Sequence, residues 1–303
     1  MLSAGILGSG FGAYGHLPAI IRYNKYERIC CLEDFKKFII SRKELRDFAD
    51  RLTVYSSVEE ILISTDHLFY ARRPSDQEDL ILSGLSDKDF SHIFFEKPLA
   101  TNPDASKSCL NSLRNKNQYF SINYLIAMLP WWDFNSHSSY FSISWHFMAH
   151  HFKSNSRYTW KQDHMAGGGA IRFYGIHLIA LASRFHFNHV IHSFSNNDYT
   201  YWSCILSNSK GQRLIIDINT RDEEELFLFK QEESIAMRSS SPFSGDKSIE
   251  DNSTGIMNSQ DVRARFIFDN ISRVMQYECY PLDHEAILML WSEVEARTQL
   301  INI

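Results

Sequence analysis

The first 120 residues alternate short apolar runs with longer segments in which apolar positions recur at helical spacing. The apolar runs predict strands and the longer segments predict helices. Strands are predicted over residues 2–7, 29–32, 68–71, 93–95 and 118–124. Helices are predicted over residues 13–23, 41–51, 58–63, 77–85 and 104–114. Strands that alternate with helices in this way indicate βαβ units and a parallel sheet.

The pattern changes after about residue 122. Three segments rich in aromatic and β-prone residues predict an antiparallel sheet with a hairpin turn at 207–211, namely 139–149, 199–206 and 213–218. Helices are predicted over 169–183, 262–274 and 283–300, and a serine-rich surface loop over 239–254. We therefore predict an α/β chain of two domains, with a Rossmann-like domain at 1–121 and a second α/β domain at 122–303.

Composition narrows the class of protein. Hydrophobic residues make up 44% of the 303 residues and charged residues 22%, which excludes a disordered or collagen-like chain. The net charge of −5 gives no basic field, so we expect neither a nucleic acid nor a membrane partner. The five cysteines are scattered without a C-x-x-C pair, so no metal site is predicted. Neither a signal peptide nor an apolar stretch of about 18 residues is recognised, and the expected location is cytoplasmic.

A glycine motif follows the first predicted strand. Gly8 to Ala13 (GSGFGA) fits the fingerprint G-x-G-x-x-[GA] and precedes a predicted helix. Gly8 permits the tight turn, Gly10 lets the backbone approach a pyrophosphate, and Ala13 lets the helix pack on the strand. Phe11 and Gly12 complete the loop, whose amide groups would face the phosphates. The motif predicts a bound dinucleotide, with a simple glycine turn as the alternative.

An acidic pair predicts which dinucleotide binds. Glu33 and Asp34 begin 25 residues after Gly8, at the end of the second predicted strand. A carboxylate at this position binds the ribose hydroxyls of NAD and repels the 2′-phosphate of NADP. NAD is therefore the predicted cofactor. NADP stays open, because three basic residues near the pair could bind that phosphate, namely Lys36, Lys37 and Arg42.

A lysine motif ends the strand predicted over 93–95. Glu96, Lys97 and Pro98 follow that strand directly, on the edge at which open α/β sheets bind ligands. The ammonium group of Lys97 could bind a substrate hydroxyl and stabilise negative charge on its oxygen. Pro98 would fix the turn, and a cis peptide is one way to do so. In isolation, a charged residue that leaves a strand explains the same pattern.

Three segments together resemble the glucose-fructose oxidoreductase / inositol dehydrogenase / MocA family. GILGSGFGAYGHLPAI resembles the family's opening, FFEKPLA its lysine motif, and GGGAIRFYGIHLIAL its glycine-rich helix. The resemblance implies a Rossmann domain followed by an α/β domain with an open, mainly antiparallel sheet. It also implies NAD(P)-dependent oxidation or reduction of sugars, inositols and related polyols, including nucleotide-linked sugars, by a homo-oligomer.

The resemblance implies roles for individual residues. Lys97 matches the lysine that contacts substrate and nicotinamide ribose, and His177 matches the histidine assigned as general acid/base. Phe173 stands where the family has an aspartate, and Tyr174 is the nearest polar substitute. The predicted catalytic residues are therefore Lys97, Tyr174 and His177. The predicted cofactor-binding residues are Gly8, Gly10, Phe11, Gly12, Ala13, Glu33, Asp34, Glu96 and Lys97. The predicted substrate-binding residues are Lys97, Asn123, Trp160, Lys161, Tyr174 and His177.

Other features have less specific explanations. On a strand, His146, Met148 and His150 would share one face and His151 would point away, but no carboxylate is spaced to complete a metal site. Trp160 and Lys161 suit a sugar phosphate or a nucleotide, and a core tryptophan beside a solvated lysine explains them nearly as well. Residues 222–225 are expected to be a solvated strand end, and residues 72–77 depart from the family pattern, which has a downstream histidine.

The leading hypothesis is an NAD(P)-dependent oxidoreductase that acts on a small-molecule carbohydrate, with a nucleotide-linked sugar of surface polysaccharide synthesis as one substrate class. The first alternative is a dinucleotide-binding sensor or scaffold without dehydrogenase activity, which Phe173 favours. The second is a reductase of a C=N or C=C bond outside sugar chemistry, which needs less base catalysis and could tolerate Phe173.

Overall fold

The structure is a computed structural model that describes residues 2–85, 90–135, 137–153, 157–243, 263–276 and 282–302. The chain forms two compact units that interleave along the sequence. The first comprises Met1–Leu99, Ser108–Leu125 and Asp251–Tyr280, and the second comprises Ala100–Lys107, Ile126–Glu250 and Pro281–Ile303. This spatial grouping differs from the predicted cut after residue 121 chiefly because a helix late in the chain belongs to the first unit.

A parallel sheet forms the core of the first unit. Its strands are β1 (Ser3–Leu7), β2 (Arg28–Leu32), β3 (Leu52–Tyr55), β4 (His67–Tyr70), β5 (His92–Phe95) and β6 (Phe120–Ile122). Their order, β3-β2-β1-β4-β5-β6, is that of a Rossmann sheet, and every neighbouring pair is parallel. Strands β1, β4 and β5 are buried along their whole length, as expected for central strands that helices cover on both faces. The predicted parallel sheet is confirmed.

The helices are α1 (Leu17–Tyr23), α2 (Glu33–Ser41), α3 (Val58–Ser64), α4 (Pro74–Asp79), α5 (Pro103–Asn115), α6 (Ile176–Arg184), α7 (Arg263–Met275) and α8 (His284–Arg297). The helix predicted over 41–51 is wrong. Helix α2 begins directly after β2, because Phe35 and Ile39 lie one turn apart and both are buried. A short 3-10 segment, Arg46–Arg51, follows it. Strand β3, which the pattern did not predict, shows only Leu52 buried.

A mixed sheet forms the core of the second unit. Its strands are β7 (Tyr140–Met148), β8 (His189–Asn196), β9 (Tyr201–Ser207), β10 (Arg213–Asn219), β11 (Arg221–Gln231), β12 (Ser234–Ser239) and β13 (Thr298–Ile301). Their order is β12-β11-β7-β10-β9-β8-β13, and only the β7–β10 and β8–β13 pairs are parallel. Buried and half-exposed residues alternate along β9 and β10, so one face of the sheet packs on the core. The predicted mainly antiparallel sheet is confirmed.

Several sequence predictions need correction in this unit. The last helix ends at Arg297, and the residues predicted to continue it form β13, which pairs with β8. The acidic residues 222–225 lie near the start of β11, at the shift of register between Arg221 and Leu226, and residues 223–225 are exposed, as expected for a solvated strand end. The serine-rich loop predicted over 239–254 lies outside the described residues after 243.

The stretch His164–Arg184 is long and apolar enough to cross a membrane by length and composition, contrary to the expectation from the sequence. However, 78% of its most apolar window is buried inside the protein, and a core helix passes the same test. The stretch is also interrupted, because the turn His164–Ala166 precedes three glycines and helical backbone resumes at Ala170. The uninterrupted part is about 22 Å long, shorter than the ~30 Å of a bilayer core.

Candidate functional site

The glycine loop of the first unit lies at the carboxyl end of β1. Gly8 has a φ of 113°, and a Cβ on it would lie 2.1 Å from the carbonyl oxygen of Ala71, so only glycine fits there. Within the described parts of the chain, no atom lies within 4 Å of the position that a Cβ of Gly10 would take. The backbone at Gly10 therefore faces open space at the edge where Rossmann sheets bind ligands. The loop fits a pyrophosphate.

The other loop residues pack against the helix that follows. Ala13 is fully buried, as predicted for the small residue at the third position of the motif. Gly12 begins a π-helical turn, Gly12–His16, that leads into α1. The Phe11 ring lies against Gly15, where a Cβ would be only 2.4 Å from its Cζ, and it meets His16 edge-on at 5.4 Å. Phe11 thus covers the first turn of its own helix.

Glu33 and Asp34 lie in the first turn of α2, at the carboxyl end of β2. The register of β1 and β2 pairs Gly5 with Cys30, which places Glu33 level with Gly8. Both acids are exposed, and Glu33 lies 3.8 Å from Lys37. The other two basic residues also have local contacts: Lys36 donates to the carbonyl of Leu52 and Arg42 stacks on Phe38. The arrangement is compatible with either NAD or NADP.

The backbone around Lys97 is held by one buried amide. The Lys97–Pro98 peptide is cis, as the sequence suggested. Gln77, only 1% exposed, donates from Nε2 to the carbonyls of Glu96 (3.0 Å) and Pro98 (2.8 Å) and accepts from the Glu96 N–H (3.1 Å). The sequence analysis did not single out Gln77, although it lies at the end of the atypical segment 72–77. Gln77 fixes the turn that carries Lys97.

The Glu96 side chain belongs to a buried polar network. Its Oε1 lies 3.0 Å from His16 Nε2 and accepts from Asn123 Nδ2 at 2.9 Å. Asn123 in turn accepts from Asn270 of α7 at 3.0 Å. His16 and both asparagines are buried, whereas Glu96 keeps 13% of its side chain exposed. Asn123, predicted to bind substrate, therefore lies inside the unit and orients Glu96.

The glycine-rich helix of the second unit is anchored by a buried ion pair. Gly169, with a φ of 77°, precedes the π-helical segment Ala170–Gly175 that continues into α6. Arg172 binds both carboxylate oxygens of Glu295 of α8, at 2.7 Å and 2.6 Å. It also donates to the carbonyls of Thr101 and His164, and Trp291 donates to Glu295 at 2.7 Å. The sequence analysis missed this anchor, since nothing in the pattern links Arg172 to α8.

Aromatic side chains surround Phe173, the position at which the resemblance predicts an aspartate. The half-buried Phe173 ring meets Trp160 at right angles, with centroids 5.2 Å apart, and Lys161 Nζ lies 5.2 Å from its centre. Tyr174 meets Phe173 edge-on at 4.7 Å and contacts Phe147 at 4.9 Å. The predicted residues Trp160, Lys161 and Tyr174 therefore belong to one cluster. His177 lies one turn further along the helix and is buried.

The histidines near the end of β7 do not lie where the sequence analysis predicted them. Strand β7 ends at Met148, and His150 and His151 lie in a short 3-10 turn, so the proposed shared face of His146, Met148 and His150 does not form. His151 stacks against Tyr174. Burial, reinforced by Lys161 and His150, lowers the pKa of His151 to about 4.

His146 has carboxylate partners that the sequence analysis did not find. Its Nε2 lies 2.7 Å from Asp217 of β10, and its Nδ1 lies 3.3 Å from Asp222 of β11. Pairing of neighbouring strands brings these residues together on one face of the sheet, which sequence spacing alone does not reveal.

Residues 2–124 match the family model GFO_IDH_MocA, described as an oxidoreductase family with an NAD-binding Rossmann fold. This part of the chain therefore matches the Gfo/Idh/MocA family, whose members are NAD(P)-dependent oxidoreductases. The resemblance seen in the sequence is confirmed. No curated protein matches the chain significantly in sequence.

Solved structures with the same fold cover nearly the whole chain. A mutant of KijD10, a 3-ketoreductase from Actinomadura kijaniata in complex with TDP-benzene and NADP, aligns over 100% of this chain and 99% of its own, with 12% identity and a TM-score of 0.65. GnnA, a UDP-N-acetylglucosamine 3-dehydrogenase from Acidithiobacillus ferrooxidans, aligns over 98% and 96%, with 9% identity and a TM-score of 0.60. GenD2 of gentamicin A biosynthesis, in complex with NAD, aligns over 97% and 92%, with 12% identity and a TM-score of 0.67. At these identities the likeness concerns the fold.

Proposed function

We propose that this protein transfers a hydride between NAD(P) and a carbinol carbon of a carbohydrate, most specifically a nucleotide-linked sugar used for surface polysaccharide. The observation that carries the proposal is the edge of the Rossmann sheet, where the open backbone at Gly10 and the clamped turn at Lys97 follow β1 and β5. Two solved structures of the same fold are, by their names, a 3-ketoreductase bound to a TDP ligand and a dehydrogenase of a UDP-sugar.

The first unit provides the residues that would hold the cofactor. Amide groups of the Gly8–Ala13 loop would bind its pyrophosphate, and Glu33 or Asp34 would bind its adenosine ribose. The bound nicotinamide supplies the hydride acceptor or donor. Lys97 would bind the substrate oxygen, where its ammonium group stabilises the negative charge that develops as the proton leaves.

The second unit provides the proposed acid/base. His177 would take the hydroxyl proton in oxidation or return it in reduction, because an imidazole can exchange a proton near neutral pH. With phenylalanine at position 173, no carboxylate from that position orients the histidine. Tyr174, three residues before His177, is the polar group proposed to assist.

A second candidate function is cofactor binding without turnover, as a sensor or scaffold. It is favoured by the packing of Phe173, whose ring contacts Trp160 and Lys161 at the position where the family mechanism needs a carboxylate. Such a protein would bind NAD(H) as tightly as an active relative, so the two candidates differ in turnover alone.

Cofactor binding is tested by fluorescence titration with NADH and NADPH. Gly10→Val should weaken NADH binding by at least a hundredfold and leave thermal unfolding unchanged, since its side chain would occupy only the open space at the loop. Retained affinity in that variant would contradict the assignment of the loop. Glu33→Ala should lower any preference for NADH over NADPH, and an unchanged ratio would point to Asp34.

Turnover is tested with TDP- and UDP-linked sugars in both directions. His177→Ala should lose about 10²–10⁴ in rate, as for removal of a positioned acid/base, and Lys97→Met should lose more. Lys25→Met, which changes an exposed lysine after α1, is the matched control. Tyr174→Phe with a loss below about tenfold would mean that the tyrosine only packs. If polyol oxidation appears or rises in Phe173→Asp, the family mechanism is supported. If the wild-type protein binds NADH but turns over none of these sugars, the second candidate is favoured.

A further inference from the structure

Two arginines approach the glycine loop of the first unit from different parts of the chain. Arg72 follows β4, the strand that neighbours β1, and Arg263 is the first residue of α7. Neither residue belongs to the family motifs that indicated a cofactor. Both are half-buried.

Arg263 is held against the loop by a stacking contact. Its Cζ lies 4.8 Å from the centre of the Phe11 ring, and Phe11 is the residue between Gly10 and Gly12. A guanidinium group over a ring is attracted by the negative face of the ring, and its N–H donors lie in one plane. The contact therefore places a permanent positive charge beside the glycine loop, and Phe11 covers one face of the guanidinium group.

The packing of α7 fixes this arrangement. Phe268 meets Tyr23 of α1 at 6.3 Å, and the Arg22 guanidinium lies 4.9 Å above the Phe268 ring. Two residues further along α7, Asn270 joins the buried network around Asn123. Because α7 is attached to α1 and to the sheet at two points, the position of its first residue follows from the fold of the unit.

The backbone of Arg72 lies beside the same loop, after the adjacent strand, and its side chain forms a hydrogen bond with Tyr70. The Ala71 N–H donates to the carbonyl of Leu7 at 2.7 Å, and the Arg72 backbone nitrogen lies 3.0 Å from the point that a Cβ of Gly8 would occupy. The loops after β1 and β4 form the topological switch point of this sheet order, the crevice in which such sheets bind dinucleotides. Arg72 is thus the first charged residue on the other side of that crevice.

We propose that Arg72 and Arg263 bind, from two sides, a diphosphate that lies over Gly10, and that this diphosphate is the one of the dinucleotide cofactor. The inference rests on the proposed function. The amide groups of a glycine loop are neutral, and guanidinium groups would add positive charge and paired, charge-assisted hydrogen bonds to the phosphate oxygens.

The test measures the dissociation constant of NADH by fluorescence titration for wild type, Arg72→Ala and Arg263→Ala at low and at high salt. Each variant should bind NADH at least tenfold more weakly than wild type, and the weakening of binding by salt should decrease because screened charge pairs have been removed. Arg263→Lys should recover only part of the affinity, since lysine keeps the charge but neither the stacking nor the paired hydrogen bonds. Arg51→Ala is the control. Arg51 directly precedes β3, so it lies at the amino end of an outer strand and not at the carboxyl ends where the glycine loop lies.

Further arms separate the alternatives. Adenosine, which has no phosphate, should bind wild type and all variants with the same affinity. The affinity for ADP-ribose should fall in the same variants as the affinity for NADH. Unchanged NADH affinity in both alanine variants would overturn the inference and leave the proposed function intact, whereas failure of the wild type to bind NADH would remove both. If UDP binding falls and NADH binding does not, the arginines serve a substrate diphosphate and the assignment to the cofactor is wrong. Arg263→Gln, which can still pack on Phe11, replaces Arg263→Ala if the latter unfolds at lower temperature than wild type.

Discussion

The turn at Lys97 in the first unit and the helix face at Phe173 in the second are held by different kinds of interaction. Around Lys97, individual polar atoms are held by hydrogen bonds. Gln77 binds the carbonyls of the turn, and the Glu96 side chain belongs to a network with His16, Asn123 and Asn270. Around Phe173, Arg172 anchors the backbone through its ion pair with Glu295 and its bonds to two carbonyls, and the Phe173 side chain contacts aromatic rings and the Lys161 ammonium group.

This difference determines how freely residues can be exchanged in the two regions. A hydrogen bond needs a particular donor and acceptor at a particular distance, so replacing one member of the first network leaves a buried group unsatisfied. Ring contacts depend on area and approximate orientation, so another ring or a different apolar group can take a place among them. The second unit can therefore carry a phenylalanine at position 173 while its helix stays anchored.

The largest effect is expected from breaking the anchor of the second unit. Arg172→Met should lower the free energy of unfolding by about 3–5 kcal/mol, because it leaves the Glu295 carboxylate buried without its cation. Thermal and urea unfolding followed by circular dichroism would measure the loss. The control is Arg221→Met, which removes the exposed pair with Asp198 and should cost less than about 1 kcal/mol.

The double variant Arg172→Met/Glu295→Leu refines the test. It should recover part of the stability that Arg172→Met loses, since no unpaired charge remains. If Arg172→Met costs no more than Arg221→Met, the ion pair does not anchor the helix, and the comparison between the two regions loses its basis.

The next effect is expected in the first unit. Gln77→Ala should lower the free energy of unfolding by about 2–3 kcal/mol, because the carbonyls of Glu96 and Pro98 lose the donor that Gln77 provides. The Glu96 N–H keeps its bond to the Tyr70 carbonyl. Gln276→Ala, which changes an exposed glutamine after α7, is the matched control. Equal unfolding curves for the two variants would show that solvent replaces Gln77 without cost.

The fold was predictable where strands are buried and regular. Each strand of the parallel sheet except β3 appears in the sequence as an apolar run, because central strands bury both faces. Strand β3 shows only its first residue buried, so its pattern resembles a loop. Strand β13 continues from α8 without a break in composition, and only its pairing with β8 decides that it is extended.

The site was predictable where chemistry restricts the residue type. Gly8 must be glycine because its φ is positive and the Ala71 carbonyl lies against it, so the motif is visible in the sequence. Gln77, His16, Asn270 and Glu295 are ordinary polar residues whose partners lie far away in the chain. Their roles arise from packing of elements that no local pattern connects, and the sequence analysis could not assign them.

The smallest effect concerns pH and the aromatic cluster of the second unit. Burial lowers the pKa of His151 to about 4, and its Nε2 has no hydrogen-bond partner among the described residues. In the unfolded chain its pKa is near 6.5, so between pH 6.5 and 4 the unfolded state binds more protons and the protein loses stability as the pH falls. His151→Phe keeps a ring beside Tyr174 and removes this proton. The free energy of unfolding of the variant should match that of wild type at pH 8 and exceed it by on the order of 1 kcal/mol at pH 6, as measured by urea unfolding.

Some pH dependence should remain from His67 and His164, whose pKa values burial lowers to about 4 and about 3. Parallel stability curves for variant and wild type would mean that His151 gains a proton as readily in the folded protein as in the unfolded chain, and that the cluster is open to water.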